Sequence, residues 1–223
     1  MNYTQLTAAI CDYTQNFEQD FVANIPVFVQ QAEQRIFNTV QFPSLRKNVT
    51  GTMSANNKYL SCPGDFLATY SIAVIDAAGA YEFLLNKDVN FIRQAYPTPT
   101  STGIPKYYAL FGPTTAGTAI TDELSFIMGP TPDTNYGVEL HYYYYPESIS
   151  VAADGQTWLG DNFDSVLLYG SLVEAVTFMK GEADMVALYD GKYKEALALA
   201  KRLGDGMERQ DAYRSGQYRQ AVT

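Results

Sequence analysis

The only histidine of the chain, His141, is the first residue that could do chemistry. A Ser–His–acid triad would have to use its imidazole as the general base. His141 lies in the run VELHYYYY (138–145), where nothing indicates an activated Ser or Cys. The pattern therefore favours a hydrogen-bonded strand histidine over a catalytic one. A single histidine with no cysteine near it also argues against a structural zinc site.

Two pairs of carboxylates, Asp122 with Glu123 and Asp161 with Asp164, could in principle serve glycoside hydrolysis. The first pair fits a solvated turn, and the spacing of the second resembles a capping box at a helix start. The sequence has no phosphate-binding loop, GxGxxG, HExxH or EF-hand spacing. We therefore expect no catalytic residue, no metal site, no cofactor and no enzymatic activity. A hydrolase is kept as an alternative.

The composition narrows the class of protein further. A hydrophobic content of 47% excludes a disordered chain, and a net charge of −9 argues against a general nucleic-acid-binding protein. The two cysteines, Cys11 and Cys62, are too few for a disulfide scaffold, and we expect both to be reduced. We expect neither a signal peptide nor a membrane helix, because the chain lacks the apolar runs that both require.

Tyrosine is unusually frequent, with 18 Tyr and 12 Phe beside one Trp. Its large ring and polar tip suit strands and protein interfaces. Alternation along a strand over 138–145 separates a core face (Val138, Leu140, Tyr142, Tyr144) from an aromatic but polar face (Glu139, His141, Tyr143, Tyr145). The polar face suits a surface that is exposed to solvent or contacts another subunit. Carbohydrate binding is the alternative, because aromatic rings also stack on sugars.

The N-terminal part of the chain has helical patterns. Residues 3–22 are expected to form one helix. A second helix is expected to begin at Asn24, with Pro26 in its first turn, and to stop at Pro43. Its apolar stripe is Ile25, Phe28, Val29, Ala32 and Ile36, and its polar face is Gln30, Gln31, Glu33 and Gln34.

Helices return in the C-terminal part. A helix over 163–180 is apolar on most sides, which predicts burial on most sides. A second helix, over 182–203, is expected to pair with it as a hairpin and to end at Gly204 and Gly206. Its buried face is expected to hold Val186, Tyr189, Tyr193, Leu197 and Ala200, with Lys192, Lys194, Glu195 and Lys201 outside.

The middle of the chain is punctuated by Gly and Pro between short β-prone runs, which predicts antiparallel strands and one short helix over 86–94. The expected strands are Tyr70–Asp76, Tyr107–Phe111, Leu124–Met128 and Val138–Tyr145. We therefore predict an α+β fold: a helical bundle built from both chain ends (1–43 and 153–204), an inserted antiparallel β-rich lobe (44–152) and an extended C-terminal tail (205–223).

The predicted tail has few aliphatic residues and a near-repeat, YRSGQ followed by YRQAV. It cannot bury enough apolar surface to fold alone, so it is either disordered or ordered on a partner. Residues 202–223 contain four Arg and three acids, a weak charge for a nucleic-acid-binding arm. Docking to a protein is the favoured interpretation.

Several segments, in this order, resemble the adaptor family of short-tailed phages, the head-to-tail connectors. They are IPVFVQQAEQRIFNTVQFPSLRK (25–47), PGDFL (63–67), GIPKYYALFG (103–112), VELHYYYYPESI (138–149) and TWLGDNFDSVLLYGSLVEAVTFMKGE (157–182). The resemblance covers nearly the whole chain. It implies a virion structural protein at the head–tail interface, assembled in the host cytoplasm.

The resemblance also implies partners. Such adaptors form a ring, expected here to have twelve copies, that joins the portal protein to the tail nozzle or tail tube. The ring lines the channel through which genomic DNA passes without sequence-specific binding, and no membrane is involved. The tail would grip the portal, with these expected anchors: Arg209, Tyr213, Arg214, Tyr218 and Arg219. A carbohydrate-binding or other tail-associated virion protein remains the alternative.

Overall fold

The computed structural model describes residues 1–98, 100–112, 114–116, 119–122 and 124–214. Its helices are α1 (Tyr3–Thr14), α2 (Gln19–Thr39), α3 (Val89–Ala95), α4 (Trp158–Asn162), α5 (Asp164–Phe178) and α6 (Ala183–Arg214). Its strands are β1 (Arg46–Met53), β2 (Tyr59–Ser61), β3 (Ala68–Ile75), β4 (Tyr81–Phe83), β5 (Leu85–Asn86), β6 (Tyr107–Phe111), β7 (Thr114–Ala116), β8 (Ala119–Asp122), β9 (Ser125–Gly129) and β10 (Tyr136–Tyr143). The α+β class is confirmed.

The chain separates into two compact units. The helical unit consists of Met1–Leu45 and the chain from Tyr145 onward, and the β unit is Arg46–Tyr144. All the helices except α3 belong to the first unit, and all the strands and α3 belong to the second. Among the described residues, no helix combines the length and the apolar character needed to cross a membrane.

Helix α5 packs against α1, α2 and α6, which places it at the centre of the helical unit. Its sequence explains this position, because apolar side chains occur all around the helix and most of them are buried. At Gly170, a β-carbon would lie 3.2 Å from both the Ala32 β-carbon and the Tyr193 ring. The lack of a side chain at this position lets α2, α5 and α6 approach one another closely.

The expected helix over 3–22 is broken, and α2 begins earlier than predicted. Gln15 caps α1 in the left-handed region, with a φ of 50°, and the Asn16 side chain then accepts a hydrogen bond from the Glu18 N–H. Helix α2 starts at Gln19, so Pro26 lies inside it. Asn24 is not a cap, and its amide donates to the Asp20 carbonyl at 2.7 Å. Burial of Phe21 in the turn before the proline stabilises the longer helix.

The predicted capping box at Asp161 and Asp164 was wrong. Thr157 caps α4, where its hydroxyl accepts a hydrogen bond from the Gly160 N–H at 3.2 Å. Asp161 lies inside α4, 4.0 Å from the N-terminal amino group of Met1. Asp164 is the first residue of α5, where a carboxylate interacts favourably with the helix dipole.

Helix α6 continues beyond its predicted end at Leu203 and runs to Arg214. Gly204 and Gly206 do not stop it, because a glycine costs a helix only about 1 kcal/mol relative to alanine. The following sequence, MERQDAYR (207–214), is rich in strong helix formers. The part of the predicted extended tail that the structure describes, 205–214, is therefore helical, and 215–223 lie outside the described residues.

The β unit contains two four-stranded sheets, ordered β1-β10-β3-β4 and β2-β9-β6-β5, and the short hairpin β7–β8. All strand pairs are antiparallel except β5 with β6. Side chains from both sheets share one core, so the sheets pack face to face as a sandwich. This core includes Met53, Phe66, Ile72, Val74, Tyr108, Phe126, Met128, Val138, Leu140 and Tyr142.

The alternation predicted along β10 is confirmed over 138–143, but the strand ends at Tyr143, and Tyr145, predicted on the polar face, contacts Phe37 of α2 instead. Val138, Leu140 and Tyr142 are buried, whereas Glu139, His141 and Tyr143 are half-buried on the other face. The predicted strand over 107–111 has the observed bounds of β6. Alternation therefore predicted the buried face of β10, whereas β6, in which the adjacent Tyr108 and Ala109 are both buried, followed from its β-prone residues between Gly and Pro.

Candidate interaction surfaces

His141 is a hydrogen-bonded strand histidine, as its sequence context favoured. Its Nε2 atom lies 3.1 Å from a carboxylate oxygen of Glu139 on the same face of β10. The same carboxylate accepts a hydrogen bond from the Asn48 amide, at 2.8 Å, on the neighbouring strand β1. Glu139 also accepts from Tyr81, and this hydrogen bond raises the pKa of the phenol. The histidine thus belongs to a polar cluster that connects β1, β10 and β4.

The candidate carboxylate pairs do not form a common site. Asp122 ends β8, and Glu123 lies outside the described residues. Asp161 and Asp164 are on two separate helices, with Asp161 next to the N-terminal amino group. Within the described part of the chain, no three His, Cys, Asp or Glu residues are grouped so as to hold a metal ion. Cys11 and Cys62, both within the described residues, form no disulfide.

One end of the outer face of the β1–β10–β3 sheet carries an arginine between two tyrosines. The Arg46 guanidinium lies 5.0 Å from the ring centroid of Tyr70 and 5.8 Å from that of Tyr143. The two rings contact each other edge to face, 6.0 Å apart. Cation–π contacts of this type hold the aromatic rings in place, so Tyr143 presents a fixed surface.

Two further aromatic side chains lie on edge strand β4. Tyr81 and Phe83 stack with their centroids 6.4 Å apart, and Phe83 is 67% exposed. The Tyr81 hydroxyl reaches Glu139, so these rings belong to the same face as His141. Exposed, clustered aromatic side chains are typical of surfaces that contact another molecule. We call the residues Tyr70, Tyr81, Phe83, Glu139, His141 and Tyr143 the aromatic face.

A second polar cluster involves Tyr142, on the inner face of β10. The buried Tyr142 hydroxyl donates to Asp65 at 2.8 Å, and the Lys47 ammonium contacts the other oxygen of that carboxylate at 2.7 Å. The hydrogen bond from Lys47 is the main reason why the pKa of Asp65 is lowered. Sequence analysis missed this cluster, because its three members are far apart along the chain.

A buried carboxylate lies in the helical unit, at a position that the sequence pattern predicted, wrongly, to be on the polar face of its helix. Glu33 on α2 is only 3% exposed. Its side chain accepts a hydrogen bond from the backbone N–H of Ile149 at 3.0 Å. This contact joins α2 to the segment that leads from β10 to α4.

The structure describes only part of the predicted portal-binding set. Arg209, Tyr213 and Arg214 lie on the last turns of α6. Tyr218 and Arg219 lie outside the described residues. Their role as anchors therefore stays a prediction.

The chain has an α+β architecture, with helices from both chain ends, an inserted β-sandwich and exposed aromatic side chains of the kind found at contact surfaces. The family model described as SU10 adaptor protein matches residues 1–220, and the chain belongs to this family. The family gives it a structural role as a phage head–tail adaptor, a virion component that interacts with portal and tail proteins and self-assembles. A search of curated proteins finds no match.

Proposed function

We propose that the chain is a non-enzymatic adaptor of a short-tailed phage, assembled in the host cytoplasm as a ring of twelve copies between the portal and the tail nozzle or tail tube. The observation that carries the proposal is the family match, which extends over residues 1–220. The exposed aromatic and apolar side chains support it, because a protein built for assembly needs surfaces that become buried in the complex.

In this proposal the segments 1–43 and 153–204 form the helical bundle that packs the ring and lines the DNA channel. The net charge of −9 is compatible with this role, because an acidic wall lets DNA pass without binding it. The inserted lobe proposed over 44–152 contains the β unit, Arg46–Tyr144, whose aromatic face is available to a neighbouring virion protein.

The C-terminal segment 205–223 docks on the portal. Its proposed anchors are of residue types that contribute strongly at interfaces: Arg209, Tyr213, Arg214, Tyr218 and Arg219. A ring presents many copies of this segment at once, so even weak individual contacts sum to firm attachment.

Electron microscopy of the virion and of the purified protein mixed with its portal protein tests the proposal. The expected result is a ring of this chain at the head–tail vertex. A protein that stays monomeric at every concentration and never binds the portal would contradict the proposed function.

Carbohydrate binding is the second candidate, and the observation that favours it is the exposed stack of Tyr81 and Phe83 beside Glu139. Aromatic faces that stack on sugars commonly have such carboxylate neighbours to bind hydroxyl groups. A glycan array tests it: binding by the wild-type protein that is lost in Tyr143→Ala or Phe83→Ala would support a glycan site. An array without signal would leave the aromatic face as a protein contact.

A further inference from the structure

One side of the β-sandwich is open. Strands β1 and β2 are edge strands of the two sheets, and an apolar cavity of about 300 Å³ lies between them. Val49 and Gly51 of β1 lie opposite Leu140 and Val138 of β10, so they face the interior of the sandwich. Val49 is nevertheless 37% exposed, and a β-carbon at Gly51 would meet nothing within 4 Å. We call this cavity the apolar groove, and the residues that line it include Val49, Gly51, Leu60, Pro63, Val138 and Leu140.

The rim of the apolar groove is an unprotected strand edge. Strand β1 is eight residues long and pairs with β10 in an unbroken register, and it pairs with no other described strand. Its charges are confined to Arg46 and Lys47, and it contains no proline. Proteins usually protect so long an edge with charges, prolines or bulges, because a bare edge beside a side-chain pocket can bind another protein segment. The groove therefore has the character of a protein-binding site.

The opposite side of the same sandwich presents exposed apolar side chains. Strands β4 and β5 are the other edge strands of the two sheets, and Leu84 joins them. Leu84 is buried in the core, so alternation places Tyr81, Phe83 and Leu85 on the outside, where they are 51%, 67% and 59% exposed. The Tyr81 hydroxyl is bound by Glu139 and its ring stacks on Phe83, so these rings are held in place before any contact forms. We call Tyr81, Phe83 and Leu85 the apolar ridge.

The apolar ridge cannot reach the apolar groove of its own copy. Strands β10 and β3 lie between β1 and β4, and neighbouring strands are about 4.8 Å apart, so about 14 Å separates the two edges. The hydrogen bonds of the sheet maintain that separation, and the ridge and the groove lie on opposite sides of the sandwich. Both belong to the compact unit Arg46–Tyr144, so every copy carries both. Only another copy can bring such a ridge to the groove.

We propose that the apolar ridge of one copy inserts into the apolar groove of the next copy. A second copy is the expected occupant, because members of this family self-assemble and each copy carries both surfaces. The contact buries three exposed apolar side chains and covers the bare edge of β1, and burial of apolar surface is the dominant favourable contribution to most protein association.

The contact joins two different surfaces, which determines the form of the assembly. Each added copy leaves one ridge and one groove free, and growth ends when the assembly closes into a ring. The inference rests on the proposed function and names the surfaces that build its ring.

Two single variants of the full-length chain test the contact, one on each surface. Phe83→Asp places a charge on the ridge that the apolar groove cannot solvate, and Gly51→Phe fills the groove with a side chain of the same copy. Each variant alone is expected to assemble at least about tenfold more weakly than the wild type, because a central aromatic contact is lost or blocked. Since Gly51→Phe keeps its ridge and Phe83→Asp keeps its groove, an equimolar mixture is expected to form heterodimers and nothing larger.

Two matched controls are expected to assemble like the wild type. Phe111→Asp makes the same change at a phenylalanine that is 54% exposed on β6, outside both surfaces. Thr52→Phe adds a ring to β1 on the other face of the sheet from Gly51, because successive residues of a strand alternate. Sedimentation velocity and electron microscopy, with and without the portal protein, measure assembly after circular dichroism has shown that each variant is folded.

The outcomes separate this contact from the proposed function. Wild-type assembly by Phe83→Asp or by Gly51→Phe, an equal loss of assembly in the controls, or rings in the mixture overturns the inference and leaves the proposed function intact. The two variants act on different surfaces, so either one decides if the other does not fold. A wild-type protein that stays monomeric even with the portal overturns both the inference and the proposed function.

Discussion

The side chain of Glu33 on α2 accepts a hydrogen bond from the backbone N–H of Ile149, at 3.0 Å, in the interior of the helical unit. Both residues are almost completely buried. Burial raises the pKa of Glu33 above its ordinary value, although the hydrogen bonds from Ile149 and Ser148 act in the opposite direction. The Glu33 carboxylate therefore holds the segment after β10 in place. Keeping its negative charge away from water costs free energy, which is why burial raises its pKa.

This burial makes the stability of the protein pH-dependent. Because the pKa of Glu33 is higher in the folded chain than in the unfolded chain, the folded chain holds the proton more tightly. Glu33 therefore contributes stability at low pH that is lost as the pH rises through the folded pKa. Glu33→Gln removes this titration while keeping an oxygen acceptor for Ile149.

The free energy of unfolding of Glu33→Gln minus that of the wild type should increase as the pH is raised above the ordinary pKa of a glutamate. Denaturant unfolding at a series of pH values measures it. Glu182→Gln is the control, because it also removes one carboxylate, but at an exposed position. A difference between wild type and Glu33→Gln that is constant with pH would show that the buried carboxyl does not titrate differently on folding.

Tyr142→Phe should destabilise the β unit. The Tyr142 hydroxyl donates to the Asp65 carboxylate at 2.8 Å, and a hydrogen bond to a charged group contributes about 1.5–3 kcal/mol. Because Asp65 keeps its contact with Lys47, we expect a loss at the lower end of this range. Chemical denaturation measures it, with the exposed Tyr59→Phe as a matched control. If Tyr142→Phe unfolds at the same denaturant concentration as the wild type, water replaces the hydroxyl as the partner of Asp65 without loss of stability.

Two helical glycines should respond to substitution in opposite directions. A β-carbon at Gly191 of α6 would meet nothing within 4 Å, so Gly191→Ala should gain about 0.5–1 kcal/mol from helix propensity alone. At Gly170 the same atom lies 3.2 Å from Ala32 and Tyr193, so the larger Gly170→Val should lose about 1–3 kcal/mol through overpacking. Thermal unfolding of both variants checks this. Stabilisation by Gly170→Val would show that α2, α5 and α6 can move apart freely.

The sequence predicted those elements whose local pattern agrees with their burial. Strand β6 follows from a β-prone run between Gly and Pro, and the alternation of β10 follows from a period-2 pattern. The buried face of α6, with Tyr189, Tyr193 and Ala200, follows from helical spacing. Where local signals conflict with tertiary packing, the sequence predictions failed. Pro26 predicted that the helix begins close to it, but Phe21 is buried and the helix begins earlier, at Gln19.

Candidate sites were harder to predict than the elements. Glu33 looked like one more member of a Gln-rich outer face, because no local pattern shows that a segment more than a hundred residues later covers it. Likewise, only the fold brings the α1–α2 and α5–α6 turns together, where the Asn16 amide contacts the Met179 sulfur. The docking role of the C-terminal segment rests on its residue types alone and stays a prediction.

Deleting residues 205–223 should leave a folded protein that cannot join the portal. The described buried residues of α6, such as Tyr189, Tyr193 and Ala200, all precede the deletion, so the core contacts of this helix are kept. Circular dichroism should show a cooperative thermal transition close to that of the full chain, and co-sedimentation with the portal protein should be lost. An unfolded truncated chain would show that the segment belongs to the core, and retained co-sedimentation would show that the portal is bound elsewhere.

Within that segment, Arg214→Glu/Arg219→Glu should weaken docking to the portal without affecting folding. Arginines are among the residues that contribute most at interfaces, and reversing two charges replaces attraction by repulsion where the partner is acidic. We expect affinity for the portal to fall at least about tenfold, measured by titration of the labelled portal protein, because like-charge contacts cost several kcal/mol. Arg93→Glu/Lys106→Glu, on exposed residues of the β unit, makes the same change in net charge and should bind like the wild type. Equal binding by both double variants would show that the anchors of the segment are its tyrosines or other residues, since the charge of the two arginines would then have no part in docking.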